Sequence, residues 1–258
     1  MRRFSTLALP LAALALSGCI VVADGGTTTV VHQTVAPEDV YAAALTHPDR
    51  PEADRARDGL RRSPDMLAFM RLGAGDVIAD IRPEEGFFTR LFAPVVGPAG
   101  HVYALVPNQT SGRENAFADS LAATYDNVSR VTGALETMAF DRPLDVVFMG
   151  EEYHDFVIPR FGVDVPAMNA AVFRALKPGG LYVILDHQAA PGAGVSAVGT
   201  LHRIESAELR RQVEAAGFVF DGETRVVANP ADDHSLSVFD ESIRGRTDRF
   251  ALRFRKPG

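Results

Sequence analysis

Short apolar runs of strand length alternate with helical patterns along most of the chain. Val77–Ile81, His101–Val106, Val128–Thr132, Leu144–Met149 and Leu181–Leu185 read as strands. Leu144–Met149 is nearly all apolar, the pattern of a strand covered on both faces. Helices are predicted over Glu114–Thr124, from Asp164 or Pro166 to Leu176, and after Gly86, where Phe88, Leu91 and Phe92 share a face. Upstream, Ser63-Pro64-Asp65 is a helix start: a capping serine, a proline at the first helical position and an early acid. Met66, Leu67, Phe69 and Met70 form its apolar face, and the two methionines at that spacing are read as core. Pro37–Leu45 predicts a short helix, broken by Pro48-Asp-Arg-Pro51. Ala207–Ala216 predicts another, stopped by Gly217; Phe218–Glu223 and the alternating Arg249–Arg255 then close the chain as strands.

Strands that alternate with helices imply a mainly parallel α/β sheet with helices on both faces. No internal repeat and no second domain is visible. In such a sheet, ligands bind outside the carboxyl ends of the strands. The polar residues predicted there are Asp80 and Arg82, then Glu151, Tyr153, His154 and Asp155, then Asp186 and His187.

The amino terminus is of another kind. Met1-Arg-Arg3 and the apolar Phe4–Leu16 have the layout of a signal peptide and are too short to span a bilayer comfortably. They end in Leu16-Ser17-Gly18-Cys19, which resembles the lipobox of bacterial lipoproteins. That resemblance implies cleavage after residue 18, lipidation of Cys19 and, with Ile20 following, the periplasmic face of the outer membrane. An ordinary signal peptide with a stray cysteine is the alternative. Cys19 is the only cysteine, which excludes an internal disulfide. Residues 20–36, rich in Val, Thr and Gly, are read as a flexible tether. The expected division is 1–18 signal peptide, 19–45 acylated cysteine and tether, and 46–258 globular domain.

Composition narrows the partners. The 258 residues are 47% hydrophobic with a net charge of −7, enough for one substantial core. That charge and the absence of tryptophan argue against nucleic acid, which needs a basic face and stacking platforms.

Asp80-Ile-Arg-Pro-Glu-Glu-Gly86, between the first strand and its helix, resembles the first motif of class I S-adenosylmethionine-dependent methyltransferases. Asp80 and Gly86 match the acidic strand end and the glycine turn, whereas Glu84 and Glu85 stand where glycines usually let the cofactor approach. Two carboxylates near a helix start also complement its dipole. Leu-Lys-Pro-Gly-Gly at 176–180 is similar to another recognisable stretch of that family. Tyr153-His154-Asp155, Asn229-Pro-Ala-Asp-Asp-His234 and Ile243-Arg-Gly-Arg-Thr-Asp248 resemble a group of exported bacterial proteins described as predicted methyltransferases.

The resemblance implies a Rossmann-like, doubly wound, seven-stranded sheet with an antiparallel last strand. It implies S-adenosylmethionine as cofactor, held by Asp80, Arg82, Gly86, Asn108 and Glu151, and a small-molecule acceptor. At the end of the second strand, where the family carries a ribose-binding acid, this chain has Val106, with Asn108 two residues on. A histidine beside a carboxylate suits a general base, so His154 is the expected proton acceptor, with Asp155 and Tyr153 beside it. A histidine that braces a loop is the competing reading. His187, His202 and His234 with Asp186, Asp232 and Asp233 offer ligand types for Zn or Fe, but none at close metal-ligand spacing, so no metal is predicted. A methyltransferase-fold lipoprotein that binds a polar ligand or an envelope partner without catalysis is the alternative function.

Overall fold

The computed structural model describes residues 17–24, 27–34, 37–108, 110 and 112–258, with side chains from Pro37 onward. Of the signal peptide read over residues 1–18, the first 16 lie outside the described residues. Ser17–Asp24 (β1) pairs with Thr27–Thr34 (β2) as an antiparallel hairpin, Cys19 opposite His32. Regular structure therefore occupies part of the segment read as a tether.

Five strands form the parallel body of the main sheet: Val77–Ile81 (β3), His101–Pro107 (β4), Val128–Gly133 (β5), Leu144–Gly150 (β6) and Leu176–His187 (β7). Val219–Thr224 (β8) and Arg249–Arg255 (β9) complete it in the order β5-β4-β3-β6-β7-β9-β8. Only β9 runs against the rest, inserted between β7 and β8. The strand order reverses between β3 and β6, and a crevice opens at their carboxyl ends. The seven-stranded expectation holds, with one difference: β7 begins at Leu176 rather than Leu181, so Lys177–Gly180 is the start of the strand, where Lys177 Nζ pairs with Asp145 at 2.7 Å.

Alternation along the strands splits the core in two. Val77, Ala79, Ile81, Val147 and Met149 face one side, under Val165–Ala175 (α8) and Ser206–Glu214 (α10). Ile78, Val146 and Phe148 face the other, under Pro37–Leu45 (α1), Ser63–Met70 (α4), Thr89–Val96 (α5) and Gly112–Thr124 (α6). Short helices Glu52–Arg55 (α2) and Asp58–Arg61 (α3) follow α1; Tyr153–Val157 (α7) and Val198–Leu201 (α9) sit at the strand tips. The domain boundary moves: α1 packs into the core through Tyr41 and Ala44, and the Tyr41 hydroxyl donates to the Leu72 carbonyl at 2.8 Å. The packed unit starts by Pro37 rather than at residue 46. Among the described residues, no helix is long and apolar enough to cross a membrane.

Candidate active site

The tip of β3 turns into α5 through an unusual loop. Arg82, Glu84 and Gly86 have φ of 54°, 50° and 82°, so every second residue takes the left-handed conformation that favours glycine. Sequence comparison put the glycine demand at 84 and 85. The backbone puts it at 82, 84 and 86, and Glu85 is an exposed partner of Arg113 at 2.9 Å. Each non-glycine residue held there costs about 1–2 kcal/mol, so two of three positions are strained. Gly86 has a second reason to be glycine: a Cβ would lie 2.5 Å from Leu121 Cδ1.

Asp80 points to the α5 side and accepts a hydrogen bond from Thr89 Oγ1 at 2.6 Å. Burial pushes its carboxyl up to about 7, and the negative Glu84 adds to the shift. Arg82 does not lie free over the loop. Its Nη1 is 2.5 Å from Glu152 Oε2 and 3.4 Å from Asp155 Oδ2, and its Nη2 is 3.5 Å from Glu114 Oε1. Burial opposes its charge, but these three carboxylates more than compensate and hold the guanidinium firmly protonated. At the tip of β4, Val106 is buried, and Asn108 is exposed with its backbone N–H on Gly133.

At the tip of β6, Glu151 accepts from Arg249 Nη1 at 2.7 Å and lies 3.5 Å from Arg61. Burial alone would raise its pKa; Arg61 and Arg249 instead hold it well below the carboxylate range. Tyr153 turns away from this edge. Its hydroxyl donates to Gln212 Oε1 at 3.1 Å and accepts from Asn169 Nδ2 at 2.8 Å, in the α8–α10 face of the core. The structure therefore separates Tyr153 from the pair it was expected to accompany.

His154 and Asp155 do meet, with Nε2 to Oδ1 at 3.2 Å, but the other ring nitrogen is taken as well: Nδ1 is 2.6 Å from Asp186 Oδ1. Burial disfavours charge on this ring, yet Asp186 and Asp155 overcome it and raise the pKa to about 10. A protonated imidazole with both nitrogens engaged is not a base at neutral pH, and this corrects the expected role of His154. Register explains how Asp186 arrives: Gly150 pairs with Leu185, so the residues after β6 and at the end of β7 share one tip.

His187 has the opposite state. It is buried, and desolvation lowers its pKa to about 4 despite Glu151 and Asp186 nearby. Its Nδ1 bonds Thr247 Oγ1 at 2.8 Å, leaving Nε2 without a partner among the described residues. The loops behind it are a structural web: Arg203 pairs with Asp232 at 2.9 Å, and Asp232 accepts the Asp248 N–H at 2.6 Å. Asp248 also meets His234 at 3.0 Å, so His234 braces this web.

Above these tips lies a cleft of about 520 Å³, lined among others by Arg61, Glu84, Glu114, Glu151, His187 and Arg249. Next to it is a space of about 40 Å³ over Asp80, between Arg82, Glu84, Phe88 and Phe148. Four buried polar atoms at this edge have no partner among the described residues: Arg57 Nε, Arg82 Nε, Glu114 Oε2 and Arg249 Nε. Native proteins rarely leave such atoms unmatched unless water or a ligand meets them.

Solved structures resemble the whole arrangement. A SAM-dependent methyltransferase from Aquifex aeolicus has a TM-score of 0.57 at 16% identity, over 86% of this chain and 100% of its own. The fold is that of the S-adenosylmethionine-dependent methyltransferases. The geranyl diphosphate C-methyltransferase from Streptomyces coelicolor A3(2), in complex with Mg2+, geranyl diphosphate and S-adenosyl-L-homocysteine, has a TM-score of 0.55 at 17% identity, over 83% of this chain and 87% of its own. The cyclase SpnF has a TM-score of 0.56 at 15% identity, over 80% of this chain and 81% of its own. No family model matches the sequence. No curated protein matches it either.

S-adenosylmethionine carries a carboxylate, an ammonium and a sulfonium, so its amino-acid end needs both signs of charge. The cleft supplies arginines and carboxylates side by side, with orphaned atoms of both kinds. It also falls within the usual range of small-molecule sites, about 300–1,000 Å³. The residues therefore fit that end of the cofactor. For its sugar, the tip of β4 offers the exposed Asn108.

Proposed function

We propose that this chain is a methyltransferase that takes S-adenosylmethionine and a small polar acceptor in the cleft at the carboxyl edge of β3, β6 and β7. The observation that carries the reading is the cleft itself, with its two signs of charge and unmatched buried atoms beside the β3 loop. Arg82 and Glu114 would hold the amino-acid end and Asn108 the sugar. The bound cofactor supplies an electrophilic methyl group; what the chain supplies is mostly position. His187 is neutral at pH 7, and its open Nε2 on the cleft wall is the atom that accepts an acceptor proton. Glu151 and Arg249 fix the wall on either side of it. The resemblance of residues 16–19 to a lipobox supports a place at the periplasmic face of the outer membrane, through a lipidated Cys19.

One observation favours a second reading, a binding protein with a closed cofactor site. Arg82 and Glu84 put side chains where a glycine loop has none, and only about 40 Å³ remains over Asp80. Calorimetric titration of S-adenosylmethionine into the full chain separates the two. Micromolar binding that weakens at least tenfold in Asp80→Ala supports the methyltransferase. No binding by the wild type, with binding gained in Glu84→Gly plus Glu85→Gly, supports the closed site and rejects the first reading.

A further inference from the structure

The adjacent His154 and Asp155 on α7 and His202 at the end of α9 bring three side chains together at one point. His154 Nε2 lies 3.2 Å and His202 Nδ1 2.7 Å from a single oxygen, Asp155 Oδ1. One ligand atom from each residue falls within 4.8 Å of the others. Bonds of about 2.0–2.1 Å in a tetrahedral zinc site place neighbouring ligand atoms about 3.3 Å apart, so small shifts bring all three onto one ion.

The groups behind the cluster point the same way. His154 Nδ1 is 2.6 Å from Asp186 Oδ1, and Asp186 also accepts the backbone N–H groups of His154 at 2.9 Å and His187 at 2.7 Å. This carboxylate is wholly buried and fixed by those bonds. A carboxylate on the far nitrogen of a histidine keeps the proton there and turns the lone pair of the near nitrogen toward a metal. The second oxygen of Asp155 rests 3.4 Å from Arg82 Nη1, which anchors that ligand too. Asp155 and His202 keep 15% and 13% of their side-chain surface exposed, which gives an ion a way in.

We propose that His154 Nε2, Asp155 and His202 Nδ1 form a binding site for a divalent transition metal of the zinc class, with Asp186 as its outer carboxylate. Two imidazoles and one carboxylate suit zinc or ferrous iron rather than calcium or magnesium, which prefer all-oxygen sets. A tetrahedral ion would keep its fourth position for water or another ligand. The site reverses the metal-free expectation from sequence, which considered His202 with distant histidines and missed its approach to Asp155. It stands whether or not the methyltransferase reading does.

The test uses the untagged full chain, stripped with a chelator and titrated with Co2+, whose visible bands report a tetrahedral protein site. The expected result is one equivalent bound, displaced by Zn2+, with circular dichroism confirming the fold. His202→Asn keeps the left-handed backbone at φ 54°, which asparagine tolerates, and should lose at least 100-fold in affinity. Asp186→Asn should lose 10- to 100-fold, the usual cost of an outer-shell partner. The proposal is overturned if the folded wild type shows no saturable binding below about 100 μM, or if His202→Asn and Asp155→Asn bind as the wild type does.

Discussion

His154 and His187 stand 5.7 Å apart, ring centre to ring centre, and both donate a backbone N–H to Asp186. Their chemistry differs all the same. His154 has a carboxylate on each ring nitrogen and is held protonated in the absence of a metal; His187 has a hydroxyl on one nitrogen, the cleft on the other, and is held neutral. Both are buried, so burial does not decide between them. A carboxylate in direct hydrogen-bond contact outweighs desolvation, and charges that reach only at longer range do not. Neighbouring strand tips thus carry a histidine bonded at both ring nitrogens and one with an open nitrogen side by side.

The widest break in that comparison is Asp186→Ala. It removes the acceptor of two backbone N–H groups and of His154 Nδ1 together, in a place without solvent. Removing one side of a buried charge pair costs about 3–5 kcal/mol, so a midpoint lowered by roughly 6–20 °C is expected in thermal unfolding of metal-free protein. Asp186→Asn keeps an acceptor and should lose less than half as much. Equal losses in the two variants would mean that the contacts of Asp186 matter only through its charge.

Asp80 sharpens the same lesson with one carboxylate and no cation in contact. Its pKa rises from 3.8 to about 7 on folding, so the folded state favours the protonated form. Stability from this group is complete below its ordinary pKa, falls as pH rises through the window between about 4 and 7, and stays low above it. Asp80→Asn removes that loss while still accepting from Thr89. The variant should be more stable than wild type by about 2–4 kcal/mol at pH 8, with the gap closing toward pH 4 in urea titrations. A gap independent of pH would show that Asp80 does not titrate in this range.

The fold was legible in sequence because periodicity reports burial directly: Val77–Ile81 and Leu144–Met149 are continuous apolar runs, and both are central strands. The site was legible only as a list of strand-tip residues. Which of them touch depends on strand order and register, and no single residue type carries that. Asp186 reaches His154 because β7 lies beside β6, and His202 reaches Asp155 through a turn after α9. His154 and Asp155 meet because adjacency in sequence survived here; Tyr153, equally adjacent, turned to the other face. The left-handed run at 82, 84 and 86 was hidden because arginine and glutamate give no sign of the backbone they adopt.

Tyr153 supplies the smallest effect and a control for both histidines. Its ring is fully buried, and its hydroxyl bridges Asn169 on α8 and Gln212 on α10, while His154, the next residue, faces Asp186. Tyr153→Phe keeps the packed ring and strands one amide donor and one amide acceptor, at a cost of about 1–2 kcal/mol. Asn169 Nδ2 retains only a long contact with the Gln212 carbonyl at 3.5 Å, so little of the loss is recovered. Because none of these groups touches Asp155, His202 or the cleft, the Co2+ and S-adenosylmethionine titrations should match wild type within about twofold, the additivity expected of residues without shared partners. A larger loss of Co2+ affinity would mean that α7 moves as one body when its core side loosens. The separation between the anchoring face of α7 and its chemical face would then be lost.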